Sequence, residues 1–427
     1  MHDYDEIPMS SGASKPNISG WRNRSVFATS FFALAAGFGQ FGLVAALGRV
    51  AHAFGVLHNG ATFADQAGIS ATTIGIGLGI SRLASLFGLP IAASADRFGR
   101  RPTLIWAAIS GLALTVLAST SPSFWWFVAI FALGRPSLSA VISLCIVVAS
   151  ETTSSTSRAS AVSLVAGSYA SGAGLAASIN AQFGSIIGFR GLFALCVIPL
   201  LCLPIVARWI TEPERFKLIQ HSNNTSTIFG VIAFPYRTRL FIIVLLAFGV
   251  SIITGPANSF VFLYAENVRH LSGAAVTFMV VTAGVVGLGG LLLGRWLSDH
   301  VGRRPVTGLA IAAVAVAGIV TYSGSPKLLI IGYLSGVGAG GVFTPAAGAL
   351  VNELFPTAVR ASTAGWQIAA GVLGATFGLV CFGLLAQESA SFGVAADFTF
   401  GPAILFAFLL FGLPETMGIE PEELWST

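Results

Sequence analysis

Two arginines interrupt long apolar stretches of the sequence. Arg82 lies within the predicted membrane-spanning stretch 71–94, and Arg135 lies within 123–148. An arginine at the centre of a bilayer costs at least about 2.5–3.5 kcal/mol on insertion scales, and it usually faces a cavity or a partner. The chemistry that this allows is binding of an anionic substrate or tuning of a nearby proton carrier. The alternative is a guanidinium that backbone carbonyls satisfy and that only packs helices together.

A proton carrier inside the membrane would be a carboxylate or a histidine, because a carrier must change its charge there. None of the seventeen acidic residues falls in the middle of a predicted span. Glu266 comes nearest, at the outer end of the predicted span 238–264, and such a position is more typical of a loop charge. The residues themselves therefore favour transport more strongly than proton coupling.

No pattern of residues predicts an enzyme. The sequence contains no catalytic triad and no phosphate-binding loop preceded by a strand. Its four cysteines lie inside apolar stretches and lack the spacing of metal ligands. We therefore expect no catalytic residues, no cofactor and no metal.

The composition predicts a membrane protein. The 427 residues are 55% hydrophobic and only 9% charged, against about 25% charged in a typical soluble domain. The mean hydropathy is +0.83. These values exclude an ordinary soluble enzyme and a disordered chain. The 22 basic residues are scattered between apolar stretches and form no basic face, which excludes a nucleic-acid partner. The lipid bilayer is the expected environment.

Twelve apolar runs are long enough to cross a bilayer core about 30 Å thick. A hydrophilic segment over 211–237 divides them six and six. The predicted organisation is an N-terminal tail over 1–25, a six-helix half over 26–210, a central loop over 211–237, a second half over 238–413 and a tail over 414–427. The predicted spans lie near 26–50, 71–94, 103–119, 123–148, 159–181, 190–210, 238–264, 273–297, 306–323, 327–350, 361–386 and 398–413.

The positions of Lys and Arg set the expected orientation. With the N-terminus inside the cell, most of the 22 basic residues fall on the cytoplasmic side. Both termini and the central loop are therefore expected to face the cytoplasm, with the protein in the cell membrane.

An internal repeat relates the two halves. Three stretches of the first half recur in the second at offsets of 203, 202 and 201 residues: DRFGRRP at 96–102 as DHVGRRP at 299–305, Glu151 with Arg158 as Glu353 with Arg360, and Pro213-Glu214 as Pro414-Glu415. Parallel six-helix repeats are typical of transporters whose site lies between two rocking halves near the bilayer midplane.

The DRFGRR stretch between predicted spans 2 and 3, with its degenerate copy between spans 8 and 9, resembles the best-known signature of the major facilitator superfamily. Shorter stretches are similar to its sugar-porter and metabolite–proton symporter branches: Gly188-Phe189-Arg190, Pro213-Glu214-Arg215, Glu353-Leu354-Phe355-Pro356-Thr357 and Pro414-Glu415-Thr416-Met417-Gly418. The resemblance covers the chain from residue 26 onwards. It implies an all-α membrane protein with twelve transmembrane helices in two parallel six-helix repeats.

The resemblance also implies a gate at the cytoplasmic ends of the helices. In the superfamily, charges at these positions pair across helix ends and hold the cytoplasmic side shut in the outward-facing state, and such pairs bias a two-state equilibrium. The alternative is charge that only sets membrane topology and caps helices. The matching residues are Asp96, Arg100, Arg101, Glu151 and Arg158 in the first half and Asp299, Arg303, Arg304, Glu353 and Arg360 in the second.

Polar residues in otherwise apolar spans are candidates for a substrate path. In the superfamily, spans 1, 4, 7 and 10 face the central path, and Arg135 matches an arginine of a span 4 motif associated with coupling or substrate handling. Any of these residues could instead form an interhelical hydrogen bond worth about 0.6 kcal/mol. With Arg82 and Arg135, the candidates are Gln40, Thr254, Asn258, Tyr333, Trp366 and Gln367.

These observations predict a secondary active transporter of a small polar or anionic organic metabolite, working by alternating access as a proton-coupled symporter. The preference for an anion comes from two arginines that face no acidic residue within the membrane. A proton-coupled multidrug efflux antiporter and a sugar transporter are alternatives, and a non-transporting receptor on this fold is an alternative of another class. We expect a monomer that binds a small-molecule substrate and protons.

Overall fold

The computed structural model describes residues 22–55, 68–154, 157–212, 236–419 and Trp425. Over these residues the chain is helical apart from short connections, and eleven helical runs are long and apolar enough to cross a membrane. The N-terminal tail as far as residue 21 and most of the central loop, including Pro213-Glu214-Arg215, lie outside the described residues.

One of the eleven runs contains two spans. Arg158–Trp209 has 52 residues, which at 1.5 Å per residue is about 78 Å of helix against a bilayer core of about 30 Å. The run is kinked at Gly188, whose φ of 61° and ψ of −176° are not helical. Glycine adopts this conformation far more readily than other residues do. Span 5 therefore covers 158–187 and span 6 covers 189–209, which confirms the prediction of twelve transmembrane helices.

The other spans lie close to their predicted positions. Span 12 differs most, because its helix begins at Phe392 and so includes Asp397, which is exposed. The ten remaining spans are span 1 (Arg24–Ala45), span 2 (Ala71–Phe98), span 3 (Arg100–Ala118), span 4 (Phe124–Glu151), span 7 (Arg237–Val268), span 8 (Gly273–His300), span 9 (Arg303–Thr321), span 10 (Pro326–Leu354), span 11 (Thr357–Glu388) and span 12 (Phe392–Gly412).

Span 2 is interrupted near its middle. The helix Ala71–Ala84 gives way to a 3-10 turn over Ser85–Phe87 and resumes as Gly88–Phe98. A Cβ atom at Gly88 would lie 2.8 Å from the carbonyl oxygen of Pro136 in span 4. Glycine at this position therefore allows spans 2 and 4 to approach closely at the interruption.

Among the described residues, the helices pack as two groups that meet along two pairs of spans. Span 1 packs on span 5 and span 3 on span 4 in the first half; span 7 packs on span 11 and spans 8 and 9 on span 10 in the second. Between the halves, span 2 packs on span 11 and span 5 on span 8. A Cβ atom at Gly75 of span 2 would lie 2.5 Å from the carbonyl oxygen of Leu379 in span 11. The missing side chain at Gly75 thus brings the two halves into backbone contact.

Candidate functional site

A cavity of about 1200 Å³ lies between the two halves. Spans 1, 2, 4 and 5 of the first half and spans 7, 8, 10 and 11 of the second line it. Ligand pockets are typically about 300–1,000 Å³, so this volume accommodates a small organic molecule. Five of the predicted candidates are among the lining residues: Arg82, Arg135, Thr254, Asn258 and Tyr333.

Arg82 and Arg135 lie at similar depths in the membrane-spanning region. Each is the twelfth residue of its span, counted from Ala71 and from Phe124, and spans 2 and 4 run in the same direction. Eleven helical steps are about 16 Å, roughly half of the hydrocarbon thickness. Both side chains therefore line the cavity close to the bilayer midplane.

The protein satisfies these two guanidinium groups only in part. Arg135 is 6% exposed and donates a hydrogen bond from Nη1 to the backbone oxygen of Gln40 at 3.1 Å. Its guanidinium carbon also lies 5.8 Å from the ring centroid of Phe131. The Nε atoms of Arg82 and Arg135 are buried and have no hydrogen-bond partner among the described residues. A buried charged donor without a partner is costly, so both side chains have the capacity to bind a further group.

Gln40 connects three helices of the first half beside Arg135. Its amide nitrogen donates to Oγ of Ser139 in span 4 at 2.8 Å. Its amide oxygen accepts a short hydrogen bond from the hydroxyl of Tyr169 in span 5, and Tyr169 lines the cavity. Gln40 is therefore a buried positioning residue of the wall, since it holds Arg135 through its backbone and Tyr169 through its side chain.

The second half contributes a wall without formal charge. Tyr333 and Phe262 pack edge to face with 6.3 Å between ring centroids, and both line the cavity. The hydroxyl of Thr254 donates to the backbone oxygen of Val250 at 3.1 Å. The side-chain nitrogen of Asn258 donates to the backbone oxygen of Thr254 at 2.9 Å. These two bonds are internal to span 7. The wall therefore offers aromatic surface with two polar groups at its edge.

No carboxylate is found among the described residues that line this cavity. Arg82 and Arg135 repel each other electrostatically, and charges interact more strongly in a low-dielectric interior than in water. An anion bound at these guanidinium groups would reduce this repulsion and provide the missing hydrogen-bond acceptors. The geometry thus defines a candidate anion site.

The structure places the two candidates of span 11 outside this lining. Gln367 lines a smaller cavity of about 440 Å³ within the second half, which also reaches Arg360. Trp366 is 40% exposed. Thr344 of span 10 lines both cavities and so lies between them.

The charged residues at the helix ends form two equivalent clusters, each around one arginine. The ion pairs are Arg100 with Asp96 (3.4 Å) and Glu151 in the first half, and Arg303 with Asp299 (3.5 Å) and Glu353 (3.3 Å) in the second. Each cluster joins three spans of its own half. We call this end of the bundle, which carries Arg100 and Arg303, the arginine end.

The other four arginines of these clusters bind backbone carbonyls near helix C-termini. A cation at a helix C-terminus is favourable because the last carbonyls lack intrahelical partners and carry the negative end of the helix dipole. The contacts are Arg101 with Ala207 (3.4 Å), Arg304 with Leu413 (3.0 Å), Arg158 with Ser150 (3.0 Å) and Arg360 with Phe355 (2.9 Å). They fix the arginine ends of spans 4, 6, 10 and 12.

Two glutamates that are not among the predicted gate residues cap spans 3 and 9. Their carboxylate oxygens accept the first two backbone N–H groups of each helix: Glu212 from Arg100 (2.6 Å) and Arg101 (3.0 Å), and Glu415 from Arg303 (2.8 Å) and Arg304 (3.0 Å). Such caps satisfy N–H groups that have no partner within the helix.

The equivalent of Glu415 in the first half is therefore Glu212, 203 residues earlier, whereas the Pro-Glu match predicts Glu214. The offset of the arginine motif, applied to Glu415, is the signal that would have found Glu212. Gly99 and Gly302, with φ of 99° and 120°, make the sharp turn that presents both helix starts to these carboxylates.

At the opposite end of the bundle, polar contacts join the two halves. Nε2 of His52, in the short helix Leu47–Phe54, lies 2.5 Å from the amide nitrogen of Asn267. The amide nitrogen of Asn180 in span 5 donates to both carboxylate oxygens of Glu266, at 3.3 and 3.5 Å. These contacts join the halves at this end, and the smaller cavity reaches Phe355 and Arg360 at the arginine end.

The contact of His52 depends on its neutral form. Burial, and then the charge of Arg49, lower the pKa of the His52 ring below its usual value. The neutral ring can accept the N–H of Asn267, whereas the protonated ring would present a donor to a donor. Acidification therefore weakens this contact between the halves.

The sequence model of the Major Facilitator Superfamily matches residues 26–325 and 278–424. The two matches together span both helical halves and the loop between them. The chain belongs to the Major Facilitator Superfamily.

Curated relatives of this chain carry the names of transporters. It is 26% identical over 347 residues to the "Probable 4-methylmuconolactone transporter" of Cupriavidus pinatubonensis, which covers 77% of this chain and 78% of the relative. It is 24% identical over 292 residues to a metabolite transport protein of Haemophilus influenzae, which covers 64% of this chain and 70% of the relative.

Solved structures share its fold. The inward open conformation of the xylose transporter XylE from E. coli superposes with a TM-score of 0.73 at 19% identity, covering 94% of this chain and 99% of XylE. The human organic anion transporter MFSD10 gives a TM-score of 0.63 at 15% identity, covering 91% of this chain and 99% of MFSD10. Family and relatives together define an integral membrane transporter, and the prediction of a transporter instead of an enzyme is confirmed.

Proposed function

We propose that this transporter is a proton-coupled symporter of a small organic anion. The observation that carries the proposal is the pair Arg82 and Arg135, two cationic side chains with unpartnered Nε atoms in a cavity whose described lining has no carboxylate. A carboxylate can accept two parallel N–H bonds from one guanidinium. The aromatic surface of Tyr333 and Phe262 on the opposite wall suits the organic part of such a substrate.

The transport cycle in this proposal is alternating access between the two halves. The distribution of Lys and Arg supports a cytoplasmic arginine end, so the described state faces inward. In the outward-facing state the outer contacts of Asn180 with Glu266 are released and the two arginine clusters approach each other. The ten charged residues of those clusters then form the cytoplasmic gate.

Protons as the coupling ion are supported by the cost of moving an anion inward. One elementary charge moved against 100 mV costs about 2.3 kcal/mol, and a cell interior is negative. Accumulation of an organic anion therefore needs an accompanying cation. The proton:xylose symporter XylE shares this fold at 18% identity, so the fold is compatible with such coupling.

We further propose that a single chain is the functional unit in the cell membrane, with both termini in the cytoplasm. The cavity is lined by helices of both halves of one chain. The moving bodies in this proposal are the halves 26–210 and 238–413, joined by the loop 211–237, with cytoplasmic tails over 1–25 and 414–427.

Uptake into proteoliposomes tests this function. The purified protein is offered labelled benzoate, succinate, D-xylose and ethidium, with and without an inward proton gradient. We expect gradient-stimulated uptake of an organic acid that is lost in Arg135→Gln and retained in the matched control Arg295→Gln, an exposed arginine of span 8. Xylose uptake that is equal in the wild type and in Arg135→Gln would contradict the anion site. Proton-driven ethidium movement would indicate an efflux antiporter instead.

A further inference from the structure

Glu266 lies where the two halves meet, at the end opposite the arginine end. It belongs to the π-helical turn Tyr264–Val268 that ends span 7. Asn180, across the interface in span 5, donates its amide nitrogen to both carboxylate oxygens of Glu266. The sequence predicts a loop charge at this position, whereas the structure places the carboxylate inside a contact between the two halves.

Asn180 connects Glu266 to the first half. It is 1% exposed, and its amide nitrogen also donates to the backbone oxygen of Ala45 at 2.8 Å. Its side-chain oxygen accepts the Nε–H of Arg49 at 3.1 Å, and its backbone oxygen accepts from Nη2 of Arg49 at 3.4 Å. Arg49 therefore directs its N–H groups to Asn180. The ion pairs between described residues, all at the arginine end, do not include Arg49 with Glu266.

The remaining charged and titratable groups around Glu266 are few. The helix after span 1 contributes Arg49 and His52. Arg269, which directly follows the π-helical turn, donates a hydrogen bond to the hydroxyl of Tyr264 at 2.9 Å. Spans 5 and 8, which also pack here, contribute no charged side chain to this contact among the described residues. In the closed end, the carboxylate of Glu266 thus accepts two long hydrogen bonds from the amide nitrogen of Asn180. The positive charge of Arg49 lies beyond ion-pair distance.

We propose that Glu266 is the proton-binding site that couples proton movement to the closing of this end of the protein, an inference that rests on the proposed proton symport. When the end is open, water solvates the ionised carboxylate. Closing replaces that water by donors that only partly compensate for it, and burial disfavours the charged form. Closing therefore favours the protonated carboxyl, and the ionised carboxylate favours reopening.

The proton follows a balanced path in this cycle. It leaves a hydronium ion on the outer side and forms an O–H bond at a carboxylate oxygen of Glu266 before the end closes. That bond breaks after closure, when water in the central cavity accepts the proton. Ala45, whose backbone oxygen is bonded to Asn180, lines the cavity, so the site borders it. The ionised carboxylate left in the closed contact then drives the return to the outward-facing state.

Distance measurements between spin labels test the site without any substrate. Labels are attached at Ala53→Cys in the first half and Ser272→Cys in the second, in a chain whose four native cysteines are replaced. The background carries His52→Gln, because His52 weakens the closed end on acidification and would oppose the effect of Glu266. By reciprocity of coupling, a site that binds protons better when closed must close when protons bind.

We expect the short-distance population to increase between pH 8 and about pH 5 in this background and in its Glu388→Gln control. When Glu266→Gln is added to the His52→Gln background, the short distance should dominate at every pH. A pH response that persists in this double variant, or acidification that populates the long distance in the His52→Gln background, would overturn the proposal.

Transport assays add a functional readout, with labelled benzoate as the probe. Glu266→Gln is expected to lose stimulation by a proton gradient, whereas Glu388→Gln should keep it. Gradient-driven accumulation in Glu266→Gln would overturn the proposal. If the wild-type protein moves none of the offered organic acids, the proposed function fails, whereas the distance measurement still decides whether Glu266 is a proton site.

Discussion

Glu212 and Glu415, 203 residues apart, make the same pair of contacts in the two halves of the protein. Each carboxylate accepts the backbone N–H groups of the first two residues of the helix after the arginine motif, at 2.6–3.0 Å. A negative charge at a helix N-terminus is also favourable to the helix dipole. The repeat therefore includes the carboxylates that hold the motif in place as well as its arginines.

Replacing Glu212 or Glu415 by glutamine should lower the melting temperature of the detergent-solubilised protein by similar amounts. Side-chain caps are typically worth about 0.5–2 kcal/mol, and glutamine loses the charge and one acceptor. Melting followed by tryptophan fluorescence measures the effect. Glu388→Gln, an exposed residue at the other end, serves as control. Equal melting of all three variants and the wild type would contradict the capping role.

Arg135→Lys separates charge from geometry in the cavity. Lysine keeps the positive charge but lacks the planar fork that binds a carboxylate with two bonds. We expect the Michaelis constant for the transported organic acid to increase about tenfold, the effect of losing roughly 1.4 kcal/mol of binding. Arg82→Lys should show the same trend. Concentration-dependent uptake provides the measurement, and unchanged kinetics in both variants would place the substrate elsewhere.

Gly75→Val should abolish transport without preventing membrane insertion. The new side chain would meet the carbonyl oxygen of Leu379, where spans 2 and 11 pass each other. Gly289→Val is the matched control, because a Cβ atom there has no neighbour within 4 Å. Uptake per amount of purified protein distinguishes the two variants. Normal transport by Gly75→Val would show that this close contact does not have to be maintained or moved.

Asp96→Asn weakens the cluster around Arg100, and Asp299→Asn weakens the equivalent cluster around Arg303. If the clusters close the arginine end, each substitution should reduce transport several-fold at normal abundance, because the state in which the two clusters meet becomes less stable. Uptake normalised to protein in the membrane tests this expectation. Full transport by both variants would show that these charges only set the membrane topology and cap helices.

His52 gives the outer contact a pH dependence of its own. Because the pKa of His52 is lowered by burial and by Arg49, its contact with Asn267 contributes fully above the usual value of about 6.5. The contribution is lost as pH falls through the lowered value, since protonation removes the acceptor. In a Glu266→Gln background, acidification should therefore lengthen the distance between labels at positions 53 and 272. Adding His52→Gln should abolish that response.

Hydropathy, repeats and charges within apolar stretches predict this protein well because each can be recognised in the sequence without knowing how the helices pack. The twelve spans and the position of Arg82 and Arg135 in the central cavity follow from them. The contacts of Glu212 and Glu266 do not, because their partners lie 112 and 86 residues away along the chain. Which helix ends meet depends on how the helices pack.

The rotation of each helix is also beyond a single sequence. Trp366 and Gln367 are neighbours in span 11, and successive helical residues point about 100° apart. Gln367 consequently lines the smaller cavity, while Trp366 is 40% exposed. A polar or aromatic residue in a span indicates a candidate, and only the packing decides which face it occupies.

The interruption at Ser85–Phe87 divides span 2 into two helical segments joined by a 3-10 turn. The first segment carries Arg82 and packs closely on span 11 at Gly75. The second carries Asp96, which forms an ion pair with Arg100. Arg82, the proposed substrate-binding residue, and Asp96, a residue of the proposed gate, thus belong to one span but to separate helical segments. Binding of a substrate at the first segment could therefore change the conformation of the proposed cytoplasmic gate through the short backbone segment between them.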